Sequence, residues 1–355
     1  MIYIEEGGVN EVGKENILDQ LMPAPRNGGF AMEGYWIWCG SVVQGEDGRF
    51  HMFASRVPKH MPFHPGWLVA SEIVRAVADT PEGPYEFQEI VLPARGAEYW
   101  DGRSTHNPHI IRYKDTYLLY YMGTTHPLGD DNYGENLSLD DPAIVVSRSN
   151  KRIGLATAIS VNGPWKRLDA PILGVRPGKF DSYLTSNPAP YVHDDGSVLL
   201  IYKARRYVGS HFSDMSLGVA RADHFDGPYY PVSKEPLFYS DDIHLEDPFI
   251  WKTEDGYQMI AKDMNGNVCG EKHAGIYASS EDGIKWKISD DLKAYSRSVI
   301  WDNGVVTQMG NFERPFLLFQ DGLPTHLFAA TADGSGGFSG HNTWNMVIPL
   351  RTKEK

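Results

Sequence analysis

The sequence of 355 residues has few cysteines, no long apolar run and no recognisable leader. Its two cysteines, Cys39 and Cys269, are too few for a disulfide framework. No apolar run approaches the roughly 18 residues that a membrane span needs, so we expect no membrane partner. The first residues, MIYIEEGGVNEVG, lack the basic start and apolar core of a signal peptide. We therefore expect a cytoplasmic protein, or a periplasmic one if a leader has been removed.

Positive charge is also scarce, because 33 lysines and arginines stand against 46 acidic residues, which gives a net charge of −13. An acidic surface repels phosphates, so nucleic acid is not an expected partner. Aromatic residues, 36 glycines and 23 prolines are abundant. This mixture is typical of short strands and tight turns rather than helices. No motif specifies an oligomeric state.

One segment of the chain occurs in five similar copies. The copy at residues 104–123 reads STHNPHIIRYKDTYLLYYMG, and the others begin near Trp38, Leu184, His244 and Phe312. Each copy has an apolar strand, a charged or glycine-containing turn and a second apolar strand, which is the pattern of a β-hairpin. Two more strands, joined in several copies by a loop with Gly-Pro-aromatic, follow each hairpin. One repeat unit therefore contains four antiparallel strands.

Five such units predict an all-β fold, a five-bladed β-propeller that spans residues 1–355 as a single domain. The last unit is one strand short, and we expect the N-terminal MIYIEE to supply that strand and close the ring. A pair of β-sandwiches is the alternative, but sandwiches do not need five equivalent units. Residues 10–22 show helical periodicity, and residues 126–143 form a long polar loop that is a candidate lid.

The innermost strands of a propeller begin at the central axis, so polar residues at their starts meet in one pocket. Alignment of the copies gives the strand-start residues as Cys39, Asn107, Asn187, Asp247 and Arg314. The residues one step earlier are Trp38, His106, Ser186, Glu246 and Glu313. Several carboxylates, two amides, a histidine and an arginine are more than a purely structural axis requires.

Clustered carboxylates shift one another's pKa, so one can stay protonated while another ionises. Glycosidic cleavage needs this division, with an acid for the leaving oxygen and a base for water. Glu246 and its neighbour Asp247 are the leading catalytic candidates. The candidates for substrate binding are His106, Asn107, Asn187, Glu313 and Arg314, with Trp38 and Trp100 as stacking surfaces for a sugar. No His or Cys spacing indicates a metal site.

Another carboxylate lies six residues before most strand starts, at Glu33, Asp101 and Asp181 among others. A carboxylate before a strand often caps a turn, and the repetition favours that structural role. These residues nevertheless stay candidates for a catalytic role near the axis.

The segments LEDPFIW and TSNPAPYVHDDGSVLLIY resemble those of glycoside hydrolase family 43 and its propeller relatives, families 32, 62, 68, 117 and 130. The resemblance implies that Glu246 is the general acid. It places Asn187 where the family has an aspartate that tunes the acid, and Cys39 where it has the aspartate base. Two of the three expected carboxylates are therefore missing, which indicates a divergent branch. The base must then be displaced, with Glu33, Asp101 or Asp181 as candidates.

The resemblance further implies an exo-acting, inverting glycosidase that removes a terminal sugar from plant or algal oligosaccharides. It implies no required cofactor. Some relatives hold calcium near the axis, and His106 or His109 could line such a site.

Two other functions are open at this stage. A carbohydrate-binding propeller without catalysis is favoured by the missing aspartates. A glycoside phosphorylase resembling family 130 needs only an acid, because phosphate is the nucleophile. Such an enzyme needs a basic site, for which Arg56, Lys203, Arg205 and Arg206 are available.

Overall fold

The computed structural model describes residues 16–129, 133–238 and 240–351, without the side chains of residues 290–292. It confirms the prediction of an all-β, five-bladed propeller. The first blade consists of β1 (Tyr35–Gln44), β2 (Phe50–Pro58), β3 (Glu72–Ala78) and β4 (Glu86–Leu92). The second blade consists of β5 (Ser104–Tyr113), β6 (Thr116–Thr124), β7 (Arg152–Ala158) and β8 (Lys166–Arg167).

The last three blades follow the same antiparallel plan. The third blade and its inserted hairpin β11–β12 contain β9 (Leu184–Val192), β10 (Val198–Arg205), β11 (Tyr207–Val208), β12 (His211–Phe212), β13 (Ser216–Ala222) and β14 (Tyr229–Pro231). The fourth has β15 (Leu245–Thr253), β16 (Gly256–Asp263), β17 (Gly275–Ser280) and β18 (Lys287–Tyr295). A hairpin of β19 (Ser298–Ile300) and β20 (Val306–Gln308) leads to the three-stranded fifth blade, with β21 (Asn311–Gln320), β22 (Leu323–Ala332) and β23 (Thr343–Pro349).

Helices are few and short in the described part of the chain. They are α1 (Ile17–Gln20), α2 (Phe63–Gly66) and α3 (Pro142–Ser149). Of the helix predicted over residues 10–22, only α1 is helical among the described residues, and residues 10–15 lie outside them. The polar stretch 126–143 leads into α3, where Pro142 suits the first turn because its missing N–H would have no helical partner there. No described helix has the length and apolar character that a membrane crossing needs.

The ring closes where the fifth blade meets the first. The Gly40 amide donates to Asn345 Oδ1 at 2.8 Å, and the Ile37 amide donates to Thr343 Oγ1 at 2.8 Å. The segment MIYIEE, predicted to complete the fifth blade, lies outside the described residues. The described chain that contacts β23 is slightly later, through the bridges Leu21–Leu350 and Phe30–Asn345. These isolated bridges cover the outer edge of the fifth blade.

Candidate active site

The five strand-start residues share one unusual backbone conformation. Their φ values are 54° for Cys39, 54° for Asn107, 48° for Asn187, 55° for Asp247 and 53° for Arg314. At each of them the pairing between the first and second strands of the blade shifts register. Asparagine and aspartate tolerate this left-handed conformation best, and they occupy three of the five positions. The equivalence of the five copies, predicted from the sequence, therefore extends to backbone geometry.

The side chains of these residues form a ring around the axis. Cys39 Sγ donates to Asn107 Oδ1 at 2.8 Å, and Asn107 Nδ2 donates to Asn187 Oδ1 at 2.7 Å. Asn187 Nδ2 in turn donates to Asp247 Oδ1 at 2.5 Å, and Arg314 Nη1 lies 3.7 Å from that oxygen. Burial raises the pKa of the Cys39 thiol well above its usual value, so the thiol keeps its proton as a donor.

Three carboxylates of the axial cavity converge on one buried ammonium. Lys262 Nζ lies 2.9 Å from Glu246 Oε2, 2.9 Å from Glu313 Oε2 and 3.0 Å from Asp247 Oδ2. Lys262 is only 1% exposed, so water does little to screen these contacts. A second ammonium, that of Lys203, pairs with Glu246 Oε1. The cavity lined by these groups has a volume of about 340 Å³.

Two of these carboxyl groups have pKa values displaced in opposite directions. Burial raises the pKa of Glu246, but Lys203 and Lys262 more than offset this, so its pKa lies well below the usual value. Burial also raises the pKa of Glu313, and Asp247 and Glu246 add to that effect. Lys262 only partly counters it, so the pKa of Glu313 lies above its usual value. Glu246 is therefore the ionised member of the pair, and Glu313 is the member that keeps a proton more readily.

Aromatic rings form one wall of the cavity. Trp38 packs against Phe63, with ring centroids 4.9 Å apart, and against Phe338 at 5.6 Å. Trp67 stacks on His106 at 5.1 Å. Burial and Arg314 lower the pKa of His106 well below its usual value, so its imidazole is neutral. The structure thus brings Trp38 and His106 to the cavity, as the sequence predicted.

Asp101 and Asp181 lie elsewhere, in two equivalent structural clusters. Both aspartates are 0% exposed, and neither lines the axial cavity. Asp101 accepts a hydrogen bond from the Tyr121 hydroxyl at 2.8 Å and pairs with Arg95 at 2.7 Å. Asp181 is held in the same way by the equivalent pair, Tyr202 and Arg176. With their oxygens engaged inside the blades, these residues cannot reach water at the axis, and the geometry argues against either as the base.

Trp100 and Glu33 also lie outside the cavity lining. Trp100 stacks on Tyr121 at 5.7 Å and covers Gly154, where a Cβ atom would come within 2.5 Å of the indole. It is thus a packing residue of the second blade rather than a sugar platform. Glu33 is exposed before β1. The structure gives neither residue a place beside Glu246.

Sequence reasoning missed Lys262 and did not connect Lys203 with Glu246. Both lysines lie in the second strand of a blade, opposite the residue that precedes the ring: Lys203 pairs in register with Ser186, and Lys262 with Glu246. The other blades have Ser55, Met122 and Ala330 at this position. Alignment of the second strands would therefore have revealed two lysines at equivalent inward positions.

The residues predicted to line a calcium site do not fit that ion. Calcium takes six to eight oxygen ligands. His109 packs between Phe249 at 5.6 Å and Phe316 at 5.3 Å, and His106 Nδ1 lies 2.8 Å from Ser71 Oγ. Within the described ranges no group of three or more His, Cys, Asp or Glu residues could hold a metal ion. The ammonium of Lys262 already lies among the cavity carboxylates.

Replacement of Asp101 by Asn separates the structural role from a catalytic one. We expect a loss of about 3 kcal/mol in the free energy of unfolding, because Arg95 and Arg167 would lose a buried counter-ion. The rate of the folded protein on its substrate should not change. Urea unfolding and kinetics at a temperature where the variant stays folded measure the two effects. A variant of full stability without activity would restore Asp101 as a candidate base.

Comparison with known proteins supports the fold. No protein-family model matches the sequence, and no curated protein shows significant similarity to it. Among solved structures, Zg3597, a family 117 glycoside hydrolase of the marine bacterium Zobellia galactanivorans, is 17% identical with a TM-score of 0.62, over 95% of this protein and 92% of that one. The RGII complex of BT0996 is 16% identical with a TM-score of 0.66, over 95% of this protein and 94% of that one.

A thermostable family 43 glycoside hydrolase is likewise similar, with 15% identity and a TM-score of 0.56 over 94% of both proteins. The similarity covers nearly the whole length in each case. These comparisons confirm that the protein has the propeller fold found in glycoside hydrolases of families 43 and 117, at low sequence identity.

Proposed function

We propose that the protein is a glycoside hydrolase and that its chemistry takes place in the axial cavity. The observation that carries this proposal is the buried cluster in which Glu246, Asp247 and Glu313 lie 2.9–3.0 Å from Lys262 Nζ inside the cavity. The pKa of Glu246 is lowered there and that of Glu313 is raised, which agrees with this interpretation. Glycoside hydrolysis needs one protonated and one ionised carboxyl group beside the scissile bond. The fold shared with hydrolases of families 43 and 117 supports the same conclusion.

In this mechanism Glu313 donates its proton to the glycosidic oxygen as the bond to the anomeric carbon breaks. Ionised Glu246 bonds to the anomeric carbon from the opposite side as the leaving group departs. Glu313, now ionised, then takes a proton from a water molecule that displaces Glu246 and releases the sugar. This assignment differs from the one implied by the LEDP segment, in which Glu246 is the acid. The difference arises because two ammonium groups keep Glu246 ionised, whereas Glu313 has only one.

The spacing of the pair bears on stereochemistry. Glu246 Oε2 and Glu313 Oε2 both lie 2.9 Å from Lys262 Nζ, so they are at most twice 2.9 Å, or 5.8 Å, apart. Inverting enzymes hold their carboxyl groups about 6.5–9.5 Å apart, and retaining enzymes about 5–5.5 Å. The pair therefore favours retention, with Glu246 as nucleophile, over the inversion implied by the resemblance. Proton NMR of the first-formed anomer distinguishes the two routes.

The aromatic wall and the small cavity support removal of one terminal sugar, in keeping with the expected exo action. Trp38 supplies apolar surface to the cavity lining, and Asn107, Asn187 and Arg314 supply polar groups that can hydrogen-bond a sugar. We retain a plant or algal oligosaccharide as the expected substrate. The direct test is release of sugar from a panel of aryl glycosides and oligosaccharides, with and without phosphate.

Glu313→Gln is expected to remove the alkaline limb of the pH–rate profile. An acid works only while protonated, so wild-type activity should fall as pH rises through the raised pKa of Glu313. The variant should lose about 10²- to 10⁴-fold on substrates with poor leaving groups and far less on activated aryl glycosides. Glu33→Gln serves as the control, because Glu33 is an exposed carboxylate outside the cavity lining. An unchanged alkaline limb in Glu313→Gln would exclude Glu313 as the acid.

A phosphorylase is the second candidate, because Cys39 occupies the place of the base and cations outnumber carboxylates in the cavity lining. Sugar release that requires added phosphate would select this function. Sugar binding without release from any substrate, with or without phosphate, would instead select a carbohydrate-binding propeller.

A further inference from the structure

The axial cavity is lined by more basic than acidic side chains, although the protein as a whole is acidic. Three carboxylates line it, against six cationic side chains: Arg148, Lys151, Lys203, Arg205, Lys262 and Arg314. The carboxylates account for three of the cations, because Glu246 pairs with Lys203, and Asp247 lies near Arg314 and shares Lys262. Within the described ranges Arg148, Lys151 and Arg205 have no ion pair. The cavity therefore has an excess of positive charge on one side.

These three cations lie together on the wall between the second and third blades. Lys151, just before β7, is 4% exposed, and its Nζ lies 4.8 Å from the centre of the Trp67 ring. Arg148 in α3 and Arg205 at the end of β10 both lie over Phe212, at 5.4 Å and 4.6 Å from the ring centre. Phe212 thus contacts two guanidinium groups that both line the cavity.

Such an arrangement costs free energy in the absence of a ligand. Burial, together with the charges of Lys203 and Arg205, lowers the pKa of Lys151 well below its usual value. Burial also lowers the pKa of Arg148 and of Arg205. For Arg205 the Glu246 carboxylate offsets part of this effect, and the Arg148 charge lowers the pKa further. Outside the cavity lining, Asp214 also raises the pKa of Arg205, but its side chain is 79% exposed. A ligand with negative charge would relieve this repulsion.

We propose that Arg148, Lys151 and Arg205 form an oxyanion subsite of the axial cavity. This inference rests on the proposed function and specifies its substrate class: a sugar that bears a carboxylate, as a uronic acid does, or a sulfate ester. Inorganic phosphate shares the same chemistry and is the second source that the test distinguishes. Planar guanidinium groups match carboxylate, sulfate and phosphate oxygens, and Lys151 adds a point charge.

The subsite is tested by calorimetric binding to the full-length protein, which does not depend on turnover. The probes are galacturonate and glucuronate, their neutral counterparts galactose and glucose, galactose sulfate, and inorganic phosphate. We expect wild type to bind at least one anionic probe about tenfold or more tightly than its neutral counterpart, with an advantage that weakens as salt rises. Uronate or sulfate binding would place the anion on the sugar, and phosphate binding alone would identify a co-substrate.

Lys151→Met and Arg205→Met should abolish that advantage and leave neutral-sugar binding unchanged. Arg206→Met is the matched control, because Arg206 is the exposed neighbour of Arg205 and does not line the cavity. Lys151→Met should fold at least as stably as wild type, because it removes an unpaired buried charge. The subsite proposal would be overturned if charged and neutral sugars bound with equal affinity and phosphate did not bind. It would also be overturned if Lys151→Met and Arg205→Met both kept the wild-type preference for anions.

The experiments distinguish failure of the hydrolase proposal from failure of the oxyanion-subsite proposal. If the protein hydrolyses neutral glycosides but binds no anion, the hydrolase proposal is supported and the subsite proposal is contradicted. If anion binding depends on Lys151 and Arg205 but the protein hydrolyses no substrate, the subsite proposal is supported and the hydrolase proposal is contradicted.

Discussion

Glu246→Gln is expected to lower hydrolysis by about 10³-fold or more on every substrate that the wild type cleaves. The amide keeps the size of the side chain but loses the negative charge that faces the anomeric carbon. It also leaves Lys203 and Lys262 without that carboxylate. The loss should be similar for activated and poor leaving groups, because Glu246 acts on the sugar rather than on the leaving oxygen. Steady-state kinetics on matched aryl and alkyl glycosides measure this pattern.

Glu254→Gln is the control for this experiment, since Glu254 is an exposed carboxylate at the β15–β16 turn of the same blade. It should retain full activity. If Glu246→Gln instead spares activated aryl glycosides, Glu246 is the acid that the LEDP segment implied. Unchanged activity on all substrates would remove Glu246 from the mechanism altogether.

Lys262→Met is expected to reduce the free energy of unfolding by about 3–5 kcal/mol, because it leaves three buried carboxylates without their shared counter-ion. Urea unfolding measures this loss. Lys293→Met is the control: Lys293 pairs with Glu271 at 2.8 Å, but its side chain is 30% exposed, so the loss there should stay below about 1 kcal/mol. A similar cost for both variants would show that the Lys262 cluster contributes no more than a surface pair.

The cost of Lys262→Met should depend on pH in a defined direction. Without the ammonium, burial and the neighbouring carboxylates raise the pKa of Glu313 unopposed, and Glu246 loses one of the two ammonium groups that lower its pKa. Groups with a raised folded pKa stabilise the fold at low pH, and that stability is lost as pH rises through the folded pKa. The gap between wild type and variant should therefore be smaller at acidic than at neutral pH. A gap that widens on acidification would contradict the assignment.

The fold and the ring could be predicted from the sequence because they repeat. Each inner strand has its register shift at the same place in the hairpin, so alignment of the copies identifies Cys39, Asn107, Asn187, Asp247 and Arg314. The same five residues share a positive φ in the structure. The helix predicted over residues 10–22 is shorter among the described residues, because Leu21 is already extended and pairs with Leu350. Tertiary pairing there overrides helical periodicity.

The chemistry of the cavity could not be predicted in the same way, because it depends on partners from other strands. The ionisation of Glu246 is set by Lys262, its partner across the strands, and by Lys203 of the preceding blade. The structural role of Asp101 is set by Arg95 and Tyr121, whose side chains reach it from the preceding loop and from β6. Alignment of single positions identifies equivalent residues but not the charges placed beside them.

The chain of hydrogen bonds from Cys39 to Asp247 also limits how this sequence can evolve. Its donors all point the same way, from Cys39 through the two amides to Asp247. A carboxylate at position 39 would need a donor from Asn107, which would reverse that amide and then that of Asn187. The Asn187 oxygen would then face the Asp247 oxygen and lose the Ser186 hydroxyl, which now donates to it at 2.6 Å. The thiol at position 39 and the carboxylate at position 247 are therefore coupled, and neither can be exchanged for the other's chemistry by a single substitution.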